Sequence, residues 1–151
     1  MSGMTNRGKY LRDDAYFRGA TPPTKFYLAL CTAAVAPNPD TNVLGDLTEI
    51  AAGNGYTAGG QQVNRNATDF DSLVENDGND RDELQLKDFS WTAVAGPLPA
   101  SGAGARWAAL VDDNATPANR QVIAYWDLAS DRAVSSGQTM TLQNCELRTT
   151  E

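Results

Sequence analysis

At 151 residues the chain has the size of one domain, able to bury about two-thirds of its unfolded surface, and its 41% hydrophobic and 21% charged content excludes global disorder. It contains no histidine, which removes the commonest general base and the commonest metal ligand together. The net charge of −7 is uneven: residues 1–25 hold Arg7, Lys9, Arg12, Arg18 and Lys25 against Asp13 and Asp14, a local balance of +3, leaving −10 on the other 126. An acidic body repels nucleic acid, and a basic arm of this density is too weak to reverse that.

No stretch approaches the ~20 apolar residues that span a bilayer, so no membrane is expected. The first seven residues lack the apolar core of a secretory signal, and maturation in a cytoplasm is expected. Residues 1–20 read as an N-terminal arm and 21–151 as one β domain. Within the arm, Asn6–Arg18 reads as a helix that Thr5 or Asn6 can cap. Tyr10, Leu11, Asp14 and Phe17 fall close to one face, a stripe suited to packing on the domain or on a partner subunit. Gly19 ends the helix and Pro22-Pro23 forbids its resumption.

Lys25–Thr32 is the clearest strand. Phe26, Leu28 and Leu30 alternate with Tyr27, Ala29 and Cys31, so both faces are apolar and the strand is expected to be central or covered twice. Ala36–Asp40 starts a loop, 47–51 reads as a short helix or turn, and Gly53–Gly60 breaks regular structure. Gln61–Thr68 alternates weakly, as an exposed strand would. Asp69–Glu83 reads as a turn-rich acidic segment.

Phe89–Val94 alternates cleanly, with Phe89, Trp91 and Ala93 inward. After a flexible Gly96–Gly104 loop, Arg106–Val111 and Gln121–Leu128 follow as strands joined by the turn residues Asp112–Pro117. Thr139–Leu147 carries a phase change: Met140 and Leu142 share a face, and Cys145 and Leu147 share the other, which predicts a bulge near Gln143-Asn144. Strands at this spacing with one short helix predict an all-β fold, an antiparallel β-sandwich or jelly roll. Cys31 and Cys145 fall in separate strands with no Cys-x-x-Cys neighbour. Two buried thiols are favoured over a disulfide in a reducing cytoplasm.

Candidate chemistry is thin. The acidic run Asp69, Asp71, Glu75, Asp77, Asp80, Asp82 and Glu83 is the one place for a cation. Aligning Gly78 with the glycine of a helix–loop–helix calcium site puts Leu73 and Leu84 where carboxylates are required, so a solvated loop is favoured over a looser calcium site. Asp112-Asp113 reads as a turn rather than a glycosidase pair. The Gly53–Gly60 stretch lacks the lysine of a phosphate loop. The three tryptophans, Trp91, Trp107 and Trp126, lie in strands and read as core, while Tyr56 and Tyr125-Trp126 are the aromatic positions open to ligand contact. No catalytic residue, cofactor or metal is expected, and carboxylate-only hydrolysis is disfavoured.

Several segments, in order, resemble a family of small virion structural proteins of tailed bacteriophages. They are the opening helix; Thr21–Leu30, reading Thr-Pro-Pro-Thr-Lys-Phe-Tyr-Leu-Ala-Leu; Gly55-Tyr56 with Gln61 and Gln62; Asn64-Arg65; Tyr125–Leu128; and Val134–Leu142. The resemblance spans most of the chain and implies a non-enzymatic protein of the virion, assembled in the host cytoplasm. A capsid decoration (cement) protein is the first expectation: homodimers or homotrimers on the capsid exterior that bind the major capsid protein and bridge capsomers. Charge and amphipathicity name Arg7, Lys9, Tyr10, Arg12, Phe17 and Arg18 as the docking set. The alternative is a tail-associated or fibre-like module that contacts the host surface, with glycan binding at Tyr56 and the loops 53–60 and 96–104.

Overall fold

The computed structural model describes residues 3–150. One layer is a five-stranded antiparallel sheet in the spatial order β1 (Gly3–Met4), β8 (Val122–Arg132), β7 (Ala105–Val111), β2 (Lys25–Cys31) and β3 (Gln61–Asn64). The second layer comprises a three-stranded sheet, β10 (Cys145–Thr150), β5 (Arg81–Leu86) and β4 (Ser72–Asn76), and the pair β6 (Phe89–Thr92) and β9 (Thr139–Leu142). The single α-helix among the described residues, α1, spans Asn6–Arg18. The molecule is an antiparallel β-sandwich, as the strand spacing predicted, with no closed barrel.

The main core fills the space between the layers. Leu28 and Leu30 of β2, Ala108 and Leu110 of β7, and Ala124, Trp126 and Leu128 of β8 meet Leu86, Phe89, Trp91, Met140, Leu142, Cys145 and Leu147. A smaller cluster covers the opposite face of the large sheet, where Ala29, Cys31, Trp107, Ala109, Val111 and Tyr125 lie under Leu44 and Leu47. Burial on both faces explains why β2 and β7 lack a polar alternation: one removes apolar surface against the second layer and the other against a loop layer. The cysteines are free and buried, one in each cluster. Trp91, Trp107 and Trp126 are all buried, as expected.

The phase change is not a bulge in one strand. β5 and β6 are separated by Lys87-Asp88, and β9 and β10 by Gln143-Asn144. Leu86 pairs with Cys145 on one side of the gap and Phe89 with Leu142 on the other, so the register is unbroken and each strand has two residues in the gap. Both strands therefore reverse their inward face together. Gln143 Nε2 donates to Asp88 Oδ2 across the gap at 2.8 Å, and Asn144 takes a left-handed φ of 57°.

Two other segments differ from expectation. Asp69–Glu83 is largely a hairpin, with β4 and β5 joined through Asp77–Asp80 and β5 completed by β10. The short helical turn lies at Leu44–Asp46 rather than at 47–51, because Asp46 Oδ2 accepts from the Asn42 and Val43 N–H groups at 3.0 Å each. The expected strand at Gln61–Thr68 ends at Asn64.

Candidate functional site

Thr5 caps α1. Its Oγ1 accepts from Gly8 N–H at 2.8 Å and donates to the Val122 carbonyl at 2.5 Å, while its own N–H donates to Ile123 O at 3.0 Å. The cap is thus also a sheet contact, and Thr5 is fully buried. Gly3 and Met4 just before it pair with Tyr125 and Ala124 of β8. At the far end Gly19 supplies the left-handed residue, φ 77°, that stops the helix. Residues 3–20 therefore add an edge strand and a helix to the large sheet.

The helix packs through Gly8, Leu11 and Ala15. A Cβ on Gly8 would lie 2.2 Å from Ile123 O, so only glycine permits this approach. Tyr10 and Phe17, one heptad apart, fall opposite Gly8 and Ala15 and point to solvent, 51% and 76% exposed. The aromatic stripe is therefore outward, not a packing face within the domain. Tyr16 is 82% exposed and meets Phe17 edge to face, with ring centroids 4.9 Å apart. It was absent from the docking set read from the sequence and stands on the flank of the helix, at the lip of the groove beside it.

The basic residues of that set divide. Arg7 donates through Nε to Gln121 Oε1 and lies 5.1 Å from the Tyr10 ring; Arg12 donates to Thr149 Oγ1 at 3.1 Å. Both fasten the helix to the body. Arg18 pairs one turn back with Asp14 at 3.2 Å, and Lys9 is exposed with no side-chain partner among the described residues. The outward face consequently consists of Lys9, Tyr10, Tyr16, Phe17 and Arg18: three aromatic rings edged by two cations.

The aromatic positions read for glycan contact lie elsewhere and are closed, whereas the loop 96–104 read with them keeps Pro97 and Ser101–Ala103 exposed. Tyr56 is buried; its hydroxyl accepts from Leu30 N–H at 3.0 Å and donates to Glu49 Oε1 at 2.5 Å. Burial first, then the Glu49 carboxylate, pushes the Tyr56 pKa well above 10.0. Gly60 in the same loop lies so close to Leu28 that a Cβ would come within 2.3 Å of its carbonyl oxygen. Tyr125 and Trp126 are buried too. The Gly53–Gly60 loop is thus packed on β2 through Tyr56, Gly59 and Gly60, while Gly53, Gly55, Thr57 and Ala58 stay exposed.

Remaining candidate groups serve local structure. Asp112 accepts from Asn114 and Gln121 N–H, and Asp113 Oδ2 from Thr24 N and Oγ1 at 3.0 and 2.7 Å, so the pair orders turns. Asp69 receives Lys87 Nζ at 2.5 Å and the Asn64 N–H at 2.6 Å. Burial alone would raise its pKa, but the hydrogen bonds from Lys87 and Asn64 outweigh it and hold the carboxyl below 3.8. Among the described residues, no group of three or more Cys, Asp or Glu is placed to hold a metal ion, and no helix is long and apolar enough to cross a membrane. Comparison with protein families, with curated proteins and with solved structures finds no match to this chain.

Proposed function

We propose that this chain is a structural protein of a bacteriophage virion that decorates the outside of the expanded capsid and stabilises it by bridging capsomers. The observation that carries the reading is the outward face of α1, where Tyr10, Tyr16 and Phe17 stand in water on a helix locked to its sheet. Aromatic anchors on a rigid element bind at low cost in conformational entropy. Lys9 and Arg18 beside them suit an acidic recess on the major capsid protein. An interface of standard size needs about 800 Å² per partner. Bridging two capsomers adds buried interface at seams that expansion strains, and requires no reaction.

The burial of Tyr56 removes the aromatic contact from the host-glycan alternative, which is left with the exposed parts of the loops 53–60 and 96–104. The test is co-sedimentation of the purified protein with expanded, undecorated capsids, with isolated tails in parallel. Saturable binding to capsids at a fixed ratio to the major shell protein supports decoration. Binding to tails alone, or to neither, overturns it.

A further inference from the structure

We propose that the chain forms a two-fold symmetric dimer in which Leu73 of each copy enters an apolar groove beside α1 of the other. The groove encloses about 440 Å³ between the helix and the open edge of the sandwich. Leu11, Ala15, Phe26, Phe70, Leu84 and Leu147 line it, and its only charged lining residues are Arg12 and Arg65. Arg65 is exposed and has no hydrogen-bond or ion-pair partner among the described residues.

Leu73 lies directly opposite Leu84 in the β4–β5 ladder, so both side chains leave the same face of the hairpin. Leu84 turns into the groove while Leu73, nearer the outer edge, is 70% exposed. Two residues further along that face Glu75 stands opposite Asp82. Like charges across a ladder repel, and neither carboxylate has an ion-pair partner among the described residues. One face thus carries an apolar knob with uncompensated carboxylates next to an apolar hole with an uncompensated arginine.

Within one copy the knob cannot fill the hole, because it stands on the rim. A two-fold axis through this face lets each copy fill the other and sets Glu75 and Asp82 against the partner's Arg65, an isologous contact that closes at two subunits. Charge complementarity therefore favours a second copy of this chain as the occupant. Extension of the sheet through the β4 edge is disfavoured. Antiparallel pairing centred on Val74 would set Asp71 against the partner's Asp77, like against like.

This surface shares Tyr16 with the outward helix face but not Tyr10 or Phe17, and its test uses no capsid, so failure of one reading leaves the other standing. Sedimentation equilibrium of the full chain at micromolar concentration should give twice the 16.2 kDa chain mass. Leu73→Lys should give a folded monomer. Arg65→Glu and Glu75→Arg should each weaken the dimer about tenfold, and the double variant should restore it. Phe17→Ser should leave it unchanged. A wild-type monomer, a closed trimer, a dimer indifferent to Leu73→Lys, or failure of the charge swap to restore association overturns the proposal.

Discussion

Gly8 rests its bare Cα against the carbonyl of Ile123, so closely that a methyl group there would meet the oxygen at 2.2 Å. This single approach orients α1. It turns Leu11 and Ala15 toward the sandwich and leaves Tyr10 and Phe17 facing water on the opposite side. The expected consequence of Gly8→Val is displacement of the helix from β8, with a loss of about 2–3 kcal/mol in urea unfolding, the scale of overpacking a tight contact. Gly19→Ala, where nothing lies within 4 Å of the added carbon, should cost only the left-handed backbone preference, about 1 kcal/mol. Equal losses would show that close approach is not what positions the helix.

Burial raises the thiols of Cys31 and Cys145 from the ordinary 9.0 to about 12. Ellman's reagent should therefore leave both unmodified in the native protein at pH 8 and consume both in denaturant. Because the folded values are the higher ones, their contribution to stability is complete below pH 9 and declines as pH rises toward 12. Tyr56 acts in the same direction above its ordinary 10.0. A urea midpoint that stays level from pH 8 to 11 would contradict this.

Tyr56→Phe removes a hydroxyl that satisfies both the Leu30 N–H and the Glu49 carboxylate. Leaving a buried donor unpaired costs about 1–3 kcal/mol. The loss should appear as a lower urea midpoint with an unchanged slope. Neutrality here would mean that water replaces the phenol, and the loop packed on β2 is looser than its hydrogen bonds indicate.

The Asp69 carboxyl is held below its ordinary 3.8 by Lys87 and Asn64, against the opposing effect of burial. Its stabilisation is present above pH 3.8 and is lost as pH falls through the lower folded value. Asp69→Asn should lower stability at pH 7 and narrow the gap to wild type as pH approaches 3. A gap independent of pH would show that shape rather than charge matters at this junction.

The helix and the strands that became β2, β6, β7 and β8 were legible because their signals are local: a capping threonine, a stopping glycine, and apolar runs such as Phe26–Cys31. The β4–β5 hairpin was not legible. Its residues are mostly acidic or polar, and β5 is held by pairing with β10 some sixty positions away. Half of the phase reversal was visible in Met140, Leu142, Cys145 and Leu147. Its counterpart at Lys87-Asp88 has meaning only once the two strands are paired, and without it one inserted residue was the simpler explanation. At the candidate site, Tyr10 and Phe17 were identified from helical spacing. Which way they faced depended on Gly8 and Ile123, a tertiary contact between opposite ends of the chain. The same limit hid the burial of Tyr56, whose glycine-rich surroundings resemble an exposed loop until Gly60 is seen pressed against Leu28.

The most direct measurement of the central claim is a binding isotherm on expanded, undecorated capsids, comparing wild type with the Tyr10→Ser, Phe17→Ser double variant. Both residues are exposed, so the variant should keep the wild-type circular dichroism and urea midpoint. Two aromatic anchors lost from a docking face should weaken binding by about a hundredfold or more, each contributing roughly 1.4 kcal/mol or more. Saturable wild-type binding with that loss is the predicted result. Wild-type and variant isotherms that coincide, or a wild type that does not bind capsids, would contradict docking through the helix.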